Sequence, residues 1–505
     1  MSVDLNQTNI DIDDPNFKHI FANLQGNILK GHGRDHSRHI FIKFNDNPAN
    51  SRKWVSQFAD KITSTLDQEN QSSDFKKTGN NHLFFNLMLS RSGYQALAIN
   101  KAQWPTDKAF LAGMKDLSQK YDTTPRLDKK RQHHHSKANP LNDDLNDWEP
   151  PFKSTIDGLI LLAYGRQPNI DFATANAIAE RFLDQQVEQL VNELKGIAEV
   201  ITIQSGHVMR NDKGQVIEHF GFVDGVSNPK FLFSDLQEDF KNGGFNHYDP
   251  SASLHTVMVK DPGGNKNSYG SYIVYRKLQQ NIKGFWDRLA LLASTINEVS
   301  GSSEPITAEY AGALCVGRFK DGTPISEQAT NGWINLFNNF NYDDDINGLR
   351  CPLHSHVRKT NPRNDTLRQF NAPPTIERSR RIVRRGISYG STNLQPGQEW
   401  TDVGLLFLSL QANIEQQFIF MQNTWCNNNN FLKKDTGLDP LIGVPLPQTT
   451  PTGQTWPKKW GTNDLSGNPP ITFDFSGFVK NRGGEYFFMP SINFLKQLHT
   501  NDDNQ

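Results

Sequence analysis

The chain has 505 residues, with 53 basic and 54 acidic side chains and a formal net charge of -1. That balance argues against a surface built for nucleic acid or for an anionic membrane, and no apolar run reaches the ~18 residues that span a bilayer. The three cysteines form no CxxC pair, which argues against a disulfide framework and a thiolate zinc site. The polar, acidic start of the sequence lacks a signal-peptide pattern, so a cytoplasmic protein is expected, with leaderless export as the alternative.

The first half of the sequence predicts a β-α-β-β-α-β order of elements. Alternating apolar residues predict a strand at 38–44, and apolar residues at helical spacing predict a helix over 51–65. The polar stretch 106–151 has the charges and turn residues of an exposed loop or an insertion, and its histidines at 133–135 are expected in solvent. The other predicted elements of this half are strands at 82–89, 156–164 and 199–204 and helices at 93–100 and 171–200.

The second half predicts the same order. Its elements are strands at 271–278, 382–389, 402–410 and 485–489 and helices at 281–297, 306–316 and 411–425. A repeated β-α-β-β-α-β order is typical of ferredoxin-like units. We therefore predict an α+β fold of two ferredoxin-like domains, residues 1–215 and 216–505, each with long insertions.

The first stretch with reactive side chains surrounds Asp224. This residue lies between Val223 and Gly225, so a sharp turn can deliver its carboxylate into apolar surroundings. A solvated Asp-Gly turn is the alternative interpretation.

The second stretch carries two histidines and three cations. His354 and His356 lie on one side of an extended chain, and Arg358, Lys359 and Arg363 follow them. Nearby cations favour the neutral imidazole, which is the form that ligates a metal. The same cations suit the carboxylates or phosphates of an anionic cofactor. A basic surface loop with ordinary histidines is the alternative.

The third stretch places five arginines within eight residues, at 378–385, and runs into a strand. On a strand Arg384 and Arg385 point to opposite faces, so at most one of them serves a given pocket. The residue types alone leave open which one that is, and a solvated or nucleic-acid-binding patch is the alternative.

Together, and in this order, these stretches resemble the dye-decolourising peroxidases, which are haem enzymes built from two ferredoxin-like domains. The resemblance is carried by LQGNILKGHGR at 24–34, GFVDGVSNP at 221–229, HVRKTNPR at 356–363, IVRRGISYG at 382–390 and GLLFLSLQANIEQQFIFMQ at 404–422.

The resemblance implies one haem b per chain, bound in the C-terminal half with His356 as the iron ligand. His354 is the alternative ligand if the alignment slips by two residues. Asp224 matches the distal acid and Arg384 the distal arginine. Three further matches concern the cofactor: Arg363 is expected to pair with a haem propionate, and Leu405 and Phe407 are expected to line the distal side.

A carboxylate is also expected to bond the proximal histidine, and Glu415 is a candidate. The implied function is a peroxidase that reduces hydrogen peroxide through a ferryl intermediate and oxidises bulky aromatic donors such as anthraquinone dyes and phenolics. Electrons from such donors are expected to enter through surface aromatics, for which Tyr389, Trp400 and Trp425 are candidates.

A peroxidase that uses Asp224 as its base is expected to tolerate acidic pH, because an unperturbed Asp has a pKa of about 3.9. The competing interpretation is a haem carrier on the same fold, which needs neither Asp224 nor Arg384. A nucleic-acid-binding protein that uses the arginines at 378–385 is a third, against which the net charge argues.

Overall fold

The computed structural model describes residues 3–119, 141–241, 243–300, 304–332, 338–391, 402–445, 453–462 and 471–499. Its strands are β1 His36–Phe44, β2 Phe84–Ser90, β3 Gly158–Tyr164, β4 Ala198–His207, β5 Met209–Arg210, β6 Val216–Ile217, β7 Val259–Lys260, β8 Tyr269–Gln280, β9 Val383–Arg384, β10 Ile387–Tyr389, β11 Gly404–Gln411, β12 Gln454–Trp456, β13 Ile471–Phe473 and β14 Val479–Met489.

The α-helices are α1 Pro15–Phe21, α2 Pro48–Phe58, α3 Thr65–Thr78, α4 Arg91–Ala96, α5 Lys108–Ala112, α6 Met114–Gln119, α7 Pro150–Lys153, α8 Phe172–Glu193, α9 Phe233–Lys241, α10 Ile282–Ser300, α11 Ala308–Val316, α12 His356–Thr360, α13 Asp365–Phe370, α14 Pro374–Ser379 and α15 Ile492–Gln497. Two π-helical turns follow β11, at Glu415–Ile419 and Met421–Cys426. Short 3-10 helices lie at Lys101–Gln103, Leu145–Asp147 and Leu254–Thr256.

One ten-stranded sheet organises the molecule, in the order β7-β8-β14-β2-β3-β1-β4-β10-β11-β9. An additional pairing of β8 with β11 closes the sheet into a barrel. Its neighbours are antiparallel, and β1 lies between β3 and β4 with Ile40 opposite Ile160 and Ile203.

The barrel consists of two units that join edge to edge. The first half supplies the order β2-β3-β1-β4 and the second the order β14-β8-β11-β10, and both are ferredoxin-like orders. The units meet where Phe487 pairs with Ser90 and where Ser388 pairs with His207. The predicted α+β fold of two ferredoxin-like units is confirmed, and the two units share one continuous sheet.

The prediction of a single helix over 51–65 is wrong. Helix α2 ends at Phe58, and a new helix begins at Thr65. The reason is local: Ser64 caps the backbone N–H of Asp67, and the Asp67 carboxylate accepts from the backbone N–H of Ser64. This reciprocal capping box starts a helix where the apolar spacing alone suggests continuity.

The prediction that the segment 106–151 is exposed is also wrong at both ends of the segment. Phe110 and Trp148 are buried in the barrel core, and the Asp143 carboxylate pairs with Arg276 of β8. These apolar and paired side chains attach both ends of the segment to the barrel, because burial of aromatic side chains stabilises packing. The middle of the segment, including the histidines at 133–135, lies outside the described residues.

The buried apolar residues of the described part of the chain form two clusters. The larger lies in and around the barrel, where Phe41, Tyr275 and Phe487 pack together. The smaller lies in the C-terminal half, where Phe285 of α10 packs on Phe220. Among the described helices, none has both the length and the apolar composition to cross a membrane.

Candidate active site

A cavity of about 250 Å³ opens in the C-terminal unit, walled mainly by apolar side chains. The residues named from the sequence fall into two groups here: Asp224, Arg384, His356, Leu405 and Phe407 all line the cavity, whereas His354 and Arg363 do not. The cavity therefore brings together groups from segments up to 183 residues apart in the chain, counting from 224 to 407.

Asp224 and Arg384 form an ion pair inside this cavity. Nη1 of Arg384 donates to Oδ1 of Asp224 at 2.9 Å, and the backbone N–H of Gly225 donates to the same oxygen at 2.6 Å. Oδ2 has no hydrogen-bond partner among the described residues. Both side chains are about one-third exposed, at 32% for Asp224 and 35% for Arg384. The free carboxylate oxygen is thus open to a small molecule in the cavity.

Asn228 explains why these two motifs meet. Its side-chain Oδ1 accepts from the backbone N–H of Arg384 at 3.0 Å, and its Nδ2 donates to the backbone carbonyl of Arg384 at 3.3 Å. One amide thereby bonds both backbone groups of Arg384 in the two-residue strand β9, whose other edge pairs with β11. The motif at 221–229 therefore carries the acid and also fixes the arginine.

Arg385 lies between β9 and β10 and its side chain bonds the N-terminal stretch instead of joining the ion pair. Its Nε donates to the carbonyl of Asn27 at 2.9 Å, and its Nη2 donates to the carbonyl of Ile28. Burial lowers the pKa of Arg385 to about 9. The question left open by the sequence is settled geometrically: Arg384 serves the cavity, and Arg385 anchors the N-terminal stretch.

His356 begins the short helix α12 and bonds a buried carboxylate. Its Nδ1 lies 2.9 Å from Oδ2 of Asp439, whose side chain is 0% exposed. Oδ1 of Asp439 accepts from the backbone N–H groups of Leu441 and Ile442. Because Nδ1 is engaged, Nε2 is the ring nitrogen left for a metal.

The surroundings of Asp439 favour its ionised form. Burial by itself raises the pKa of its carboxyl, but His356 and the two backbone donors outweigh burial, so the pKa lies below its ordinary value. The sequence pointed to Glu415 instead, and that candidate is wrong: the carboxylate that contacts His356 belongs to Asp439. An Asp in a Gly-Leu-Asp-Pro turn carries no pattern that would have identified it.

His354 is a core residue. It is 1% exposed, and its ring packs edge-on against Trp456 at 4.3 Å between centroids. Burial, together with the charge of Lys359, lowers the pKa of His354 to about 3. The alternative alignment that would make it the metal ligand places a buried side chain outside the cavity.

The cations after His356 do not line the cavity. Arg358 is fully buried between the carboxylates of Asp345 and Asp365, and Lys359 donates to two backbone carbonyls beyond β11. Arg363 is also buried, and it donates to the carbonyls of Asn338 and Phe340. None of the three cations lines the cavity, so the structure gives no support to the expectation that they face an anionic cofactor, and that expectation stays a prediction for Arg363, whose Nε is buried without a hydrogen-bond partner among the described residues.

Three other arginines line the cavity in their place: Arg276, Arg318 and Arg381. Arg318 shares two acceptors with Arg363, the Ser227 hydroxyl and the Asn338 side-chain oxygen. Burial, with the charge of Arg363, lowers the pKa of Arg318 to about 9. Arg276 and Arg318 were not predicted from the sequence, since neither lies in one of the motifs that carry the resemblance.

The predicted electron-entry aromatics are not at the surface where the structure describes them. Tyr389 is 4% exposed and Trp425 is 5% exposed, so both are core residues. Trp400 lies outside the described residues.

The residues present fit a haem. The cavity offers one histidine nitrogen, an apolar wall that includes Leu405 and Phe407, and cations suited to propionates.

Comparison with known proteins agrees with this geometry. Residues 23–198 match the DyP dimeric alpha+beta barrel domain, and residues 216–436 match the C-terminal domain of Dyp-type peroxidases. The multifunctional dye peroxidase DyP2 of Amycolatopsis sp. is 34% identical over 94% of this chain and 95% of its own length.

Solved structures give the same result. A DyP-type peroxidase of Anabaena sp. superposes with a TM-score of 0.83 and 41% identity, covering 98% of this chain and 99% of its own. A dye-decolorizing peroxidase solved in complex with 2,6-dimethoxyphenol superposes with a TM-score of 0.70 and 27% identity, covering 94% and 98%. The chain therefore belongs to the dye-decolourising peroxidase family.

Proposed function

We propose that this peroxidase binds one haem b in the cavity, with Nε2 of His356 on the iron, and that Asp224 and Arg384 act on hydrogen peroxide. One observation carries the proposal: a single cavity contains both the Asp224–Arg384 ion pair and a histidine whose other nitrogen bonds a buried carboxylate. A haem carrier has no need of the ion pair.

Haem, when bound, supplies an iron that accepts peroxide and exchanges electrons with it. His356 holds the iron, and Asp439 fixes the orientation of the imidazole. Arg318 and Arg381 are the cations of the cavity lining that would face the propionates, and Leu405 and Phe407 give an apolar wall. Arg363 helps to orient Arg318, because both arginines donate to the same two acceptors.

Asp224 moves the proton that the reaction requires. Its Oδ2, which no other described residue contacts by a hydrogen bond, takes the proton from one peroxide oxygen and returns it to the other, which leaves as water. The guanidinium of Arg384 stabilises the negative charge that develops on the departing oxygen. Its ion pair with Oδ1 holds the carboxylate in place while Oδ2 acts.

The electron donors are aromatic reductants such as phenolics and anthraquinone-type dyes. A relative of the same fold binds 2,6-dimethoxyphenol, which supports phenolic donors for this chain.

The test is the absorption spectrum of the purified holoprotein before and after peroxide, with single variants. Asp224→Asn and Arg384→Ala should each slow the spectral change by about 100-fold or more, with haem still bound. His356→Ala should weaken haem binding itself. Arg378→Ala is the control, because that arginine pairs with Asp249 outside the cavity.

The outcomes separate the functions. A haem band that peroxide leaves unchanged in the wild type would favour a haem carrier. Protein expressed with ample haem but without a haem band would overturn the proposal. A His356→Ala variant with a normal five-coordinate spectrum would show that the ligand is another residue.

A further inference from the structure

A second carboxyl group, Glu218, lines the same cavity and closes the turn that leads to Asp224. Its Oε2 accepts from the backbone N–H of Phe220 at 2.8 Å, and its Oε1 accepts from that of Phe222 at 3.0 Å. Oε2 also accepts from Nε2 of Gln280 at 2.5 Å. The carboxylate thus satisfies two backbone donors of the turn and ties the turn to the end of β8.

The backbone of this turn continues directly to the proposed acid. Glu218 N–H donates to the Phe222 carbonyl, and Asp224 N–H donates to the Val216 carbonyl. Gly221 has a φ of +93°, which permits the reversal between them. A shift of the Glu218 carboxylate would therefore move the backbone on which Asp224 sits.

The side-chain amide of Gln280 can take a second orientation. It is 5% exposed, and its Oε1 is buried without a hydrogen-bond partner in the described part of the chain. An unpaired buried carbonyl is costly. Rotation of the amide would turn Oε1 toward Glu218, where it could accept a hydrogen bond only if the Glu218 carboxyl carried a proton.

We propose that Glu218 is a positioning residue for Asp224 that works in two hydrogen-bonded states with Gln280. Ionised Glu218 accepts from the Gln280 amide, and protonated Glu218 donates to the Gln280 Oε1. Both states keep the turn closed, but they differ by one negative charge in the cavity. The inference rests on the proposed function, because it concerns the group assigned there as the proton carrier.

The surroundings of the Glu218 carboxyl favour a change of its protonation near neutral pH. Burial raises the pKa of Glu218 to about 7, with a further contribution from the charge of Asp224, against the hydrogen bonds from Phe220, Gln280 and Phe222. Two other elements contact this turn through side chains. Arg384 of β9 forms an ion pair with Asp224, and the uncharged Gln280 of β8 bonds Glu218. Lys320 contributes its carbonyl to Val223, and its ammonium lies over the Trp286 ring.

A second negative charge beside Asp224 has a definite effect on the reaction. It opposes the charge that develops on the departing peroxide oxygen, so the reaction slows when Glu218 ionises. We therefore expect the rate at which peroxide oxidises the holoenzyme to fall about fivefold as the pH rises through about 7.

Two variants test the two parts of the proposal by stopped-flow absorbance of the holoenzyme. Glu218→Gln mimics the protonated state, so its rate should stay within about twofold of wild type at acidic pH and should lack the fall near neutrality. Glu218→Ala removes the acceptor of Phe220 and Phe222, so it should slow the reaction about tenfold or more at every pH with haem still bound.

Glu485→Gln is the matched control. The carboxylate of Glu485 also accepts two backbone N–H groups, those of Met114 and Tyr486, and burial raises its pKa, but it lies outside the cavity. This variant should keep the pH dependence of the wild type.

Infrared difference spectra of the holoenzyme without peroxide provide the second readout. A protonated-carboxyl band should grow as the pH falls through about 7 in wild type and in Glu485→Gln, and that component should be missing in Glu218→Gln. Retention of the band in Glu218→Gln, persistence of its rate change near neutrality, or a wild-type rate in Glu218→Ala would each overturn the inference. A holoenzyme that does not react with peroxide would overturn the proposed function instead, while the infrared titration still decides the role of Glu218.

Discussion

His356 and Asp439 lie 83 residues apart in the chain, yet Nδ1 of the histidine and Oδ2 of the aspartate are 2.9 Å apart. The carboxylate is itself held by two backbone N–H groups, from Leu441 and Ile442. An imidazole bonded in this way has a fixed tautomer and a fixed ring orientation. The segment that follows the π-helical turns therefore fixes the orientation of His356. Among the described residues, His356 is the only histidine that lines the cavity.

Replacing the charge of Asp439 without changing its shape tests this relationship. Asp439→Asn should weaken haem binding or slow the peroxide reaction by about 10- to 100-fold, because a neutral amide orients the imidazole without increasing its basicity. Haem titration of the apoprotein and stopped-flow absorbance of the holoprotein measure the two effects. Glu415→Gln is the control and should match the wild type. Equal behaviour of Asp439→Asn and wild type would refute the role of Asp439.

Arg358 is predicted to be a stability residue rather than a cofactor contact. It is 0% exposed and bonds both Asp345 and Asp365, so Arg358→Met leaves the buried carboxylate of Asp345 without this cation and leaves that of Asp365 with Arg368 alone. We expect a loss of about 3–5 kcal/mol in the free energy of unfolding, measured by urea denaturation. Lys480→Met removes a surface ion pair with Asp147 and should cost less than about 1 kcal/mol. A loss in Arg358→Met as small as in this control would contradict the prediction.

The seam between the two units is predicted to weaken in acid. His207 pairs with Ser388 across β4 and β10, and Nε2 of His219 bonds the Tyr389 carbonyl beside it. Burial lowers the pKa of His207 to about 4, with contributions from the nearby His219 and His36. An unfolded histidine has a pKa of about 6.5. The neutral ring thus contributes stability that is fully present above about pH 6.5 and is lost as the pH falls toward 4.

Urea midpoints at about pH 7.5 and pH 5 measure this linkage. The wild type should lose about 1–2 kcal/mol more than His207→Gln over this interval. His255→Gln, at an exposed position, is the control and should lose as much as the wild type. If His207→Gln loses stability to the same extent as the wild type, the seam histidine is not the acid-sensitive group.

Much of the fold could be predicted because periodicity reports burial directly. Strand β1 shows its alternation in the sequence, β11 shows a short apolar run, and the order of elements identified both ferredoxin-like units. The break between α2 and α3 was missed, since the capping box at Ser64 acts against an apolar spacing that continues across it. Closure of the barrel depends on pairings between distant strands, which periodicity does not encode.

The candidate site was only partly predictable. Asp224, Arg384 and His356 sit in short motifs whose turn residues are visible in the sequence, and all three line the cavity. Arg363 was assigned to the cofactor from its charge and its motif, but a charge gives no information about which acceptors surround it. Its guanidinium is engaged by Asn338 and Phe340.

The sequence by itself determined the family motifs, the order of strands and helices, and the residue types that peroxide chemistry needs. These properties are local, because a turn or a strand depends on neighbours a few positions away. Only the tertiary structure decided that Asp439 supports His356, that Asn228 fixes Arg384, and that Glu218 joins Asp224 at the cavity. Each of these depends on which buried donor meets which buried acceptor, and that is set when the barrel closes.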